Sequence, residues 1–227
     1  MRWNAPLSEL HASILFDALR LDGCERVLDL GCGWAELLIR AVERTPGLRG
    51  VGVDTDSGAL ARGRALVAAR GVGDRVELIE TTGERYAESA SRVICVGASH
   101  IWDGTEGALR ALAGIVPTGG RLLYGDGCFV RAPSATTAEI FDGMLPFSDL
   151  VRAVDAAGWR VLHLSMSDRL EWDEFESSFR AGPEEWLLAN PEVPGADDVR
   201  SWLDGRRAEY LDGYRDELGF CWLVLAR

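Results

Sequence analysis

Short apolar runs alternate with segments of helical spacing along the first half of the chain. This alternation narrows the fold more than any other feature. RVLDL (26–30), GVGVD (50–54), RVELIE (75–80), RVICVG (92–97) and RLLYGDG (121–127) read as strands. Between the first two, Leu37, Leu38, Ala41 and Val42 repeat at helical spacing. A second helix is predicted through 57–70, with Ser57 as its N-cap. Leu109, Leu112, Ala113 and Val116 mark a third, stopped by Pro117 and by Gly119–Gly120. Strands so continuously apolar must be buried on both faces, so the pattern predicts an α/β chain with a parallel sheet between helical layers.

After residue 127 the rhythm changes. CFVRAPSATTAEIFDGMLPF reads as a long irregular connection. A helix near 147–157 and a strand near 159–166 follow. Trp172, Phe175 and Phe179 form an apolar stripe that should break at Gly182–Pro183. Val199, Trp202, Leu203, Tyr210 and Tyr214 mark another helix, and FCWLVLA (220–226) is a closing strand. The chain is therefore read as one domain over 1–227. Residues 1–25 form an N-terminal helix or lid, 26–127 a ligand-binding core, and 128–227 an elaboration on the substrate side.

Charge bears on the partners. The net charge of -12 argues against duplex DNA or structured RNA as the main partner, because phosphate binding needs a basic surface; a local basic groove is left open, though no run of arginines points to one. All 24 basic residues are arginine. The five cysteines are widely spaced, with no CxxC pair and no zinc-like cluster, so no metal is expected and the thiols fit a reduced cytoplasm. No segment reads as a signal peptide or a membrane span.

LDLGCGWAE (28–36) lies where the first strand meets the first helix. Gly31 and Gly33 permit a tight turn and let a ligand approach the backbone. A nicotinamide-binding loop would need a third glycine where Glu36 stands, and an acid there would face a pyrophosphate. The stretch instead resembles motif I of the class I S-adenosylmethionine-dependent methyltransferases, D-x-G-x-G-x-G. Asp29, Gly31 and Gly33 match, and Ala35 replaces the last glycine. This ligand has no pyrophosphate, and its ammonium favours an acid near the loop.

The resemblance extends along the chain. VGASHIWDGTEGALRALAGIVPTGGRLLYGDG resembles segments of bacterial small-molecule methyltransferases that carry GASHAFGG-like and PGGRLLLGEGFW-like stretches. It implies a Rossmann-like, seven-stranded, mostly parallel sheet with an antiparallel last strand. It also implies S-adenosyl-L-methionine as cofactor and S-adenosyl-L-homocysteine as product. Asp29 would reach the cofactor's amino group. Asp54, about twenty residues beyond the glycines, would accept hydrogen bonds from the ribose hydroxyls. Cys32 and Thr55 belong to the same expected set. Thr82 stands where the family carries an acid for adenine, so either its hydroxyl, a backbone group, or neighbouring Glu80 or Glu84 takes that role.

Ligands in this fold bind at the carboxyl ends of the strands. Gly97 and Ala98 would leave room for the cofactor. Ser99, His100 and Trp102 would line the transfer chamber, with Phe129 and Trp172 as further acceptor contacts. His100 is the candidate base, and Asp126 would orient it or bind a cationic acceptor. Trp3 and Trp34 adjoin the same side. The expected activity is methyl transfer to O or N of a small-molecule acceptor, by a monomer or homodimer. The alternative is a protein of this fold that binds the cofactor without methylating.

Overall fold

The computed structural model describes residues 1–86 and 88–227. Each apolar run becomes a strand: β1 (Arg26–Leu30), β2 (Arg49–Asp54), β3 (Val76–Glu80), β4 (Arg92–Val96) and β5 (Arg121–Phe129). The later strands are β6 (Arg160–Met166) and β7 (Leu218–Ala226). They form one sheet in the order β3-β2-β1-β4-β5-β7-β6. β1 to β5 run parallel, whereas β7 is antiparallel to both its neighbours. The order turns back on itself between β1 and β4, so a crevice opens at the carboxyl ends of these two strands.

The helices are α1 (Glu9–Leu19), α2 (Glu36–Arg44), α3 (Ser57–Ala69), α4 (Thr105–Ile115) and α5 (Ala135–Ile140). They continue with α6 (Phe147–Ala156), α7 (Arg169–Ala189) and α8 (Ala196–Ala208). Alternation along the strands divides the core into two layers. Ile94, Leu123, Phe220, Trp222 and Val224 pack with Leu15 and Leu19 of α1 and Leu38 and Ile39 of α2. Val93, Leu122, Tyr124, Cys221 and Leu223 pack with Leu109 and Leu112 of α4 and with Leu150 and Val154 of α6. A third, smaller cluster holds Phe129, Tyr210, Tyr214 and Leu218.

Three local expectations are corrected. The N-cap of α3 is Asp56, whose Oδ1 accepts from the amides of Gly58 and Ala59, so Ser57 is the first helical residue. The connection after β5 contains α5, capped by Ser134. Helix α7 continues through Pro183 to Ala189. It starts on a capping box between Asp168 and Glu171, and Phe179, whose carbonyl Pro183 leaves without a helical donor, is exposed, so water can reach that carbonyl. No helix among the described residues is long and apolar enough to cross a membrane.

Candidate active site

The loop between β1 and α2 is built by positive φ angles, +75° at Gly31 and +54° at Gly33. The amides of Gly31 and Cys32 both donate to the Val53 carbonyl, at 2.9 and 3.0 Å. These bonds tie the loop to the end of β2. A side chain at Gly31 would start 2.4 Å from the Ala98 Cβ, so this glycine also sets how closely the loop meets the end of β4.

Two carboxylates define the electrostatics here. Asp54 accepts from the Gly33 amide at 2.7 Å and, through its other oxygen, from the Asp56 amide at 2.9 Å. Asp29 is buried, and desolvation together with the nearby Asp54 pushes its pKa up to about 8. Burial likewise raises the Cys32 thiol. Glu36 pairs with both Arg40 and Arg70.

A cleft of about 490 Å³ opens beside the loop. Asp54, Thr55, Thr82, Gly97, Ala98 and His100 share its wall with Gly31 and Gly33. Among the described residues the Thr82 hydroxyl, buried there, has no hydrogen-bond partner. Asp29 and Cys32 line a smaller space next to the loop, beside Trp3 and Trp34. A second cavity, about 500 Å³, adjoins the first and is lined by Ser99, His100 and Asp126. His100 is exposed and borders both.

Several residues fall elsewhere than expected. Trp102 is outside both walls; its ring lies against Gly83, which itself lines the main cleft. Phe129 is 8% exposed within the third core cluster, with Trp172 packed against it. Asp126 does not orient His100. Its Oδ2 accepts from the Tyr124 hydroxyl at 2.7 Å and the Thr105 hydroxyl at 3.0 Å, and its Oδ1 from the Gly127 amide at 3.0 Å.

This geometry has close counterparts. A methyltransferase-domain family model matches residues 27–120. The uncharacterized protein YjhP of Escherichia coli (strain K12) is 30% identical, over 99% of this chain and 93% of that protein. The chain belongs to the class I S-adenosylmethionine-dependent methyltransferase family. Two solved methyltransferases of this kind, each in complex with S-adenosyl-L-homocysteine, superpose closely. The one from Geobacter sulfurreducens gives a TM-score of 0.89 at 28% identity, covering 99% of this chain and 93% of that one. The one from Thiobacillus denitrificans gives 0.88 at 28%, covering 100% and 94%.

The methyltransferase fold also positions residues that sequence reasoning missed. Asn4 lines both the main cleft and the space around Asp29. Its segment is held down because the Trp34 indole donates to the Arg2 carbonyl at 3.1 Å, and Ser8 donates its amide to Glu171 at 2.8 Å. His11 meets Glu171 at 3.0 Å and Ser165 at 2.7 Å. Nothing in the local sequence joins residue 4 to residue 33 or residue 11 to residue 171, so neither contact had a signal to find. Tyr124 and Thr105 were likewise invisible as partners of Asp126. Among the described residues no group of histidine, cysteine and carboxylate side chains is placed to hold a metal ion.

Proposed function

We propose that the protein transfers a methyl group from S-adenosyl-L-methionine to O or N of a small-molecule metabolite. One observation carries this reading: a cleft at the carboxyl ends of β1, β2 and β4 meets a second cavity at a single histidine, His100.

The residues present fit the cofactor. A buried carboxyl pushed up to about 8 beside another acid is a site lacking a cation, and an ammonium would supply one. The unpartnered Thr82 hydroxyl is a buried polar group lacking a ligand atom. S-adenosyl-L-methionine supplies an electrophilic sulfonium methyl when bound. Asp29 would hold its ammonium, and Asp54 its ribose hydroxyls. Thr82 would meet the adenine, with Cys32 and Thr55 completing the walls. Gly97 and Ala98 line the cleft at the end of β4, close in sequence to His100, which borders the acceptor cavity as well.

The chain's own contribution to the chemistry is alignment and proton removal. Transfer is an in-line displacement at carbon, so holding the acceptor at the correct distance and angle lowers the barrier most. His100 would take the acceptor's proton. Ser99 and Asp126 would fix the acceptor from the opposite wall. Trp102, Phe129 and Trp172 support the walls from behind.

The test is binding first and turnover second. S-adenosyl-L-homocysteine should bind in calorimetry, and methyl-labelled S-adenosyl-L-methionine should pass label to acceptors. His100→Ala should lower turnover far more than cofactor affinity. Tight cofactor binding without transfer to any acceptor class would favour the non-methylating alternative.

A further inference from the structure

The geometry points to an amine as the acceptor, arriving as its ammonium ion and anchored by Asp126. This rests on the methyltransferase reading above and specifies the chemistry of its second cavity.

Asp126 is the residue that decides. It stands on β5 where that strand passes the cavity, and three donors, from Tyr124, Thr105 and Gly127, fix the carboxylate's orientation. A carboxylate held this way need not reorganise when a cation arrives, which is what makes a fixed charge effective in binding and catalysis. Asp103 and Asp142 border the same cavity, and no arginine among the described residues lines it. Phe141 adds an apolar, aromatic wall suited to the carbon skeleton or to the cation itself. The chain's net charge of -12 adds a long-range attraction for cations.

The course of the reaction favours the same acceptor. His100 borders both the cofactor cleft and this cavity, so it can accept one proton from the bound ammonium. The freed nitrogen lone pair then forms the N–C bond. The S–C bond breaks as it forms, and its electron pair stays on sulfur. The positive charge therefore moves from sulfur to nitrogen, ending beside Asp126, and the product is an N-methylammonium. A phenol or alcohol brings no cation for these carboxylates to anchor, and its methylation would leave an uncharged ether rather than a cation beside Asp126.

The experiment uses the full chain saturated with S-adenosyl-L-homocysteine. Benzylamine and benzoate, matched in size and opposite in charge, are titrated by calorimetry. Benzylamine should bind at least tenfold more tightly, and Asp126→Asn should remove most of that preference. Asp103→Asn should reduce it by a smaller factor and serves as a second reading if Asp126→Asn is misfolded, which its own S-adenosyl-L-homocysteine affinity reports. Benzoate binding as tightly as benzylamine, or neither binding, would overturn the proposal. So would an unchanged preference in both variants. Failure of the unmodified chain to bind S-adenosyl-L-homocysteine would instead overturn the methyltransferase reading itself.

Discussion

The Asp54 carboxylate holds the Gly33 amide at 2.7 Å, so one side chain fixes both the end of β2 and the shape of the glycine loop. The residue assigned to the ribose is thus also a brace for the backbone that must meet the rest of the cofactor. Asp54→Ala removes both functions at once. S-adenosyl-L-homocysteine affinity should fall by about 1–3 kcal/mol, the range for lost hydrogen bonds to a charged acceptor. Calorimetry checks this, and an unchanged dissociation constant would refute the ribose assignment.

Asp29 should make stability and cofactor binding depend on pH in a defined sense. Its folded-state pKa of about 8 lies above the model carboxyl value of 3.8. Between these values the folded chain binds the extra proton, so stability falls as pH rises from about 4 through 8. Asp29→Asn should flatten that slope in urea denaturation and weaken cofactor binding. An ammonium beside Asp29 would lower its pKa, so binding at pH 7 should release a proton. Calorimetry in buffers of different ionisation enthalpy measures that release. Proton uptake, or none, would remove Asp29 from the ammonium site.

Thr82→Val keeps the shape of the side chain and removes a buried hydroxyl that has no partner. The ligand-free protein should therefore keep its stability or gain up to about 1 kcal/mol, because an unsatisfied buried group is costly. Affinity for S-adenosyl-L-homocysteine should drop by about 0.5–1.5 kcal/mol, the value of a typical hydrogen bond. If stability falls while affinity holds, Thr82 is a packing residue and adenine is met elsewhere.

Glu171 ties the N-terminal segment to α7. Hydrogen bonds from His11, Ser8 and Asp168 hold its pKa at about 2 against the burial that opposes them. A depressed carboxylate contributes stability that is complete above the unfolded value near 4.5 and is lost as pH falls through about 2. Glu171→Ala should cost about 2–4 kcal/mol at pH 7, since it strands a histidine and two amides. Denaturant titrations should show this loss and a flatter acid limb. A cost under about 0.5 kcal/mol would mean that the segment is held by its other contacts.

The parts of the fold visible in the sequence are those where one physical effect acts alone. Burial on both faces made β1, β2 and β4 continuously apolar, so their limits follow from composition. The glycine loop was legible because glycine takes φ values of +75° and +54° at the least cost. Where two effects compete, local reading failed. Pro183 normally ends a helix, but here it lies on an exposed stretch of α7. Ser57 and Asp56 are both good caps, and what separates them is the extended backbone of residue 56 together with the Gly58 and Ala59 amides that its carboxylate receives. Trp102 follows His100 by two residues, yet a tight 3-10 turn over Ser99–Trp102 sends its ring toward Gly83 rather than the cavity. The partners of Asp126 depend on strand register and on where α4 starts, neither of which a single sequence displays.

The position of β7 between β5 and β6 has a consequence for biosynthesis. Of the seven strands it is the last to leave the ribosome, yet it supplies two of the sheet's interior ladders. Until it emerges, β5 presents an unpaired edge, and β6, whose only strand partner among the described residues is β7, has nothing to pair with. Helix α1, made first, packs on β5, β6 and β7 and must wait for them. The nascent chain is therefore exposed to aggregation longest at the flank that carries the acceptor cavity, and folding there is completed only after synthesis has passed Trp222.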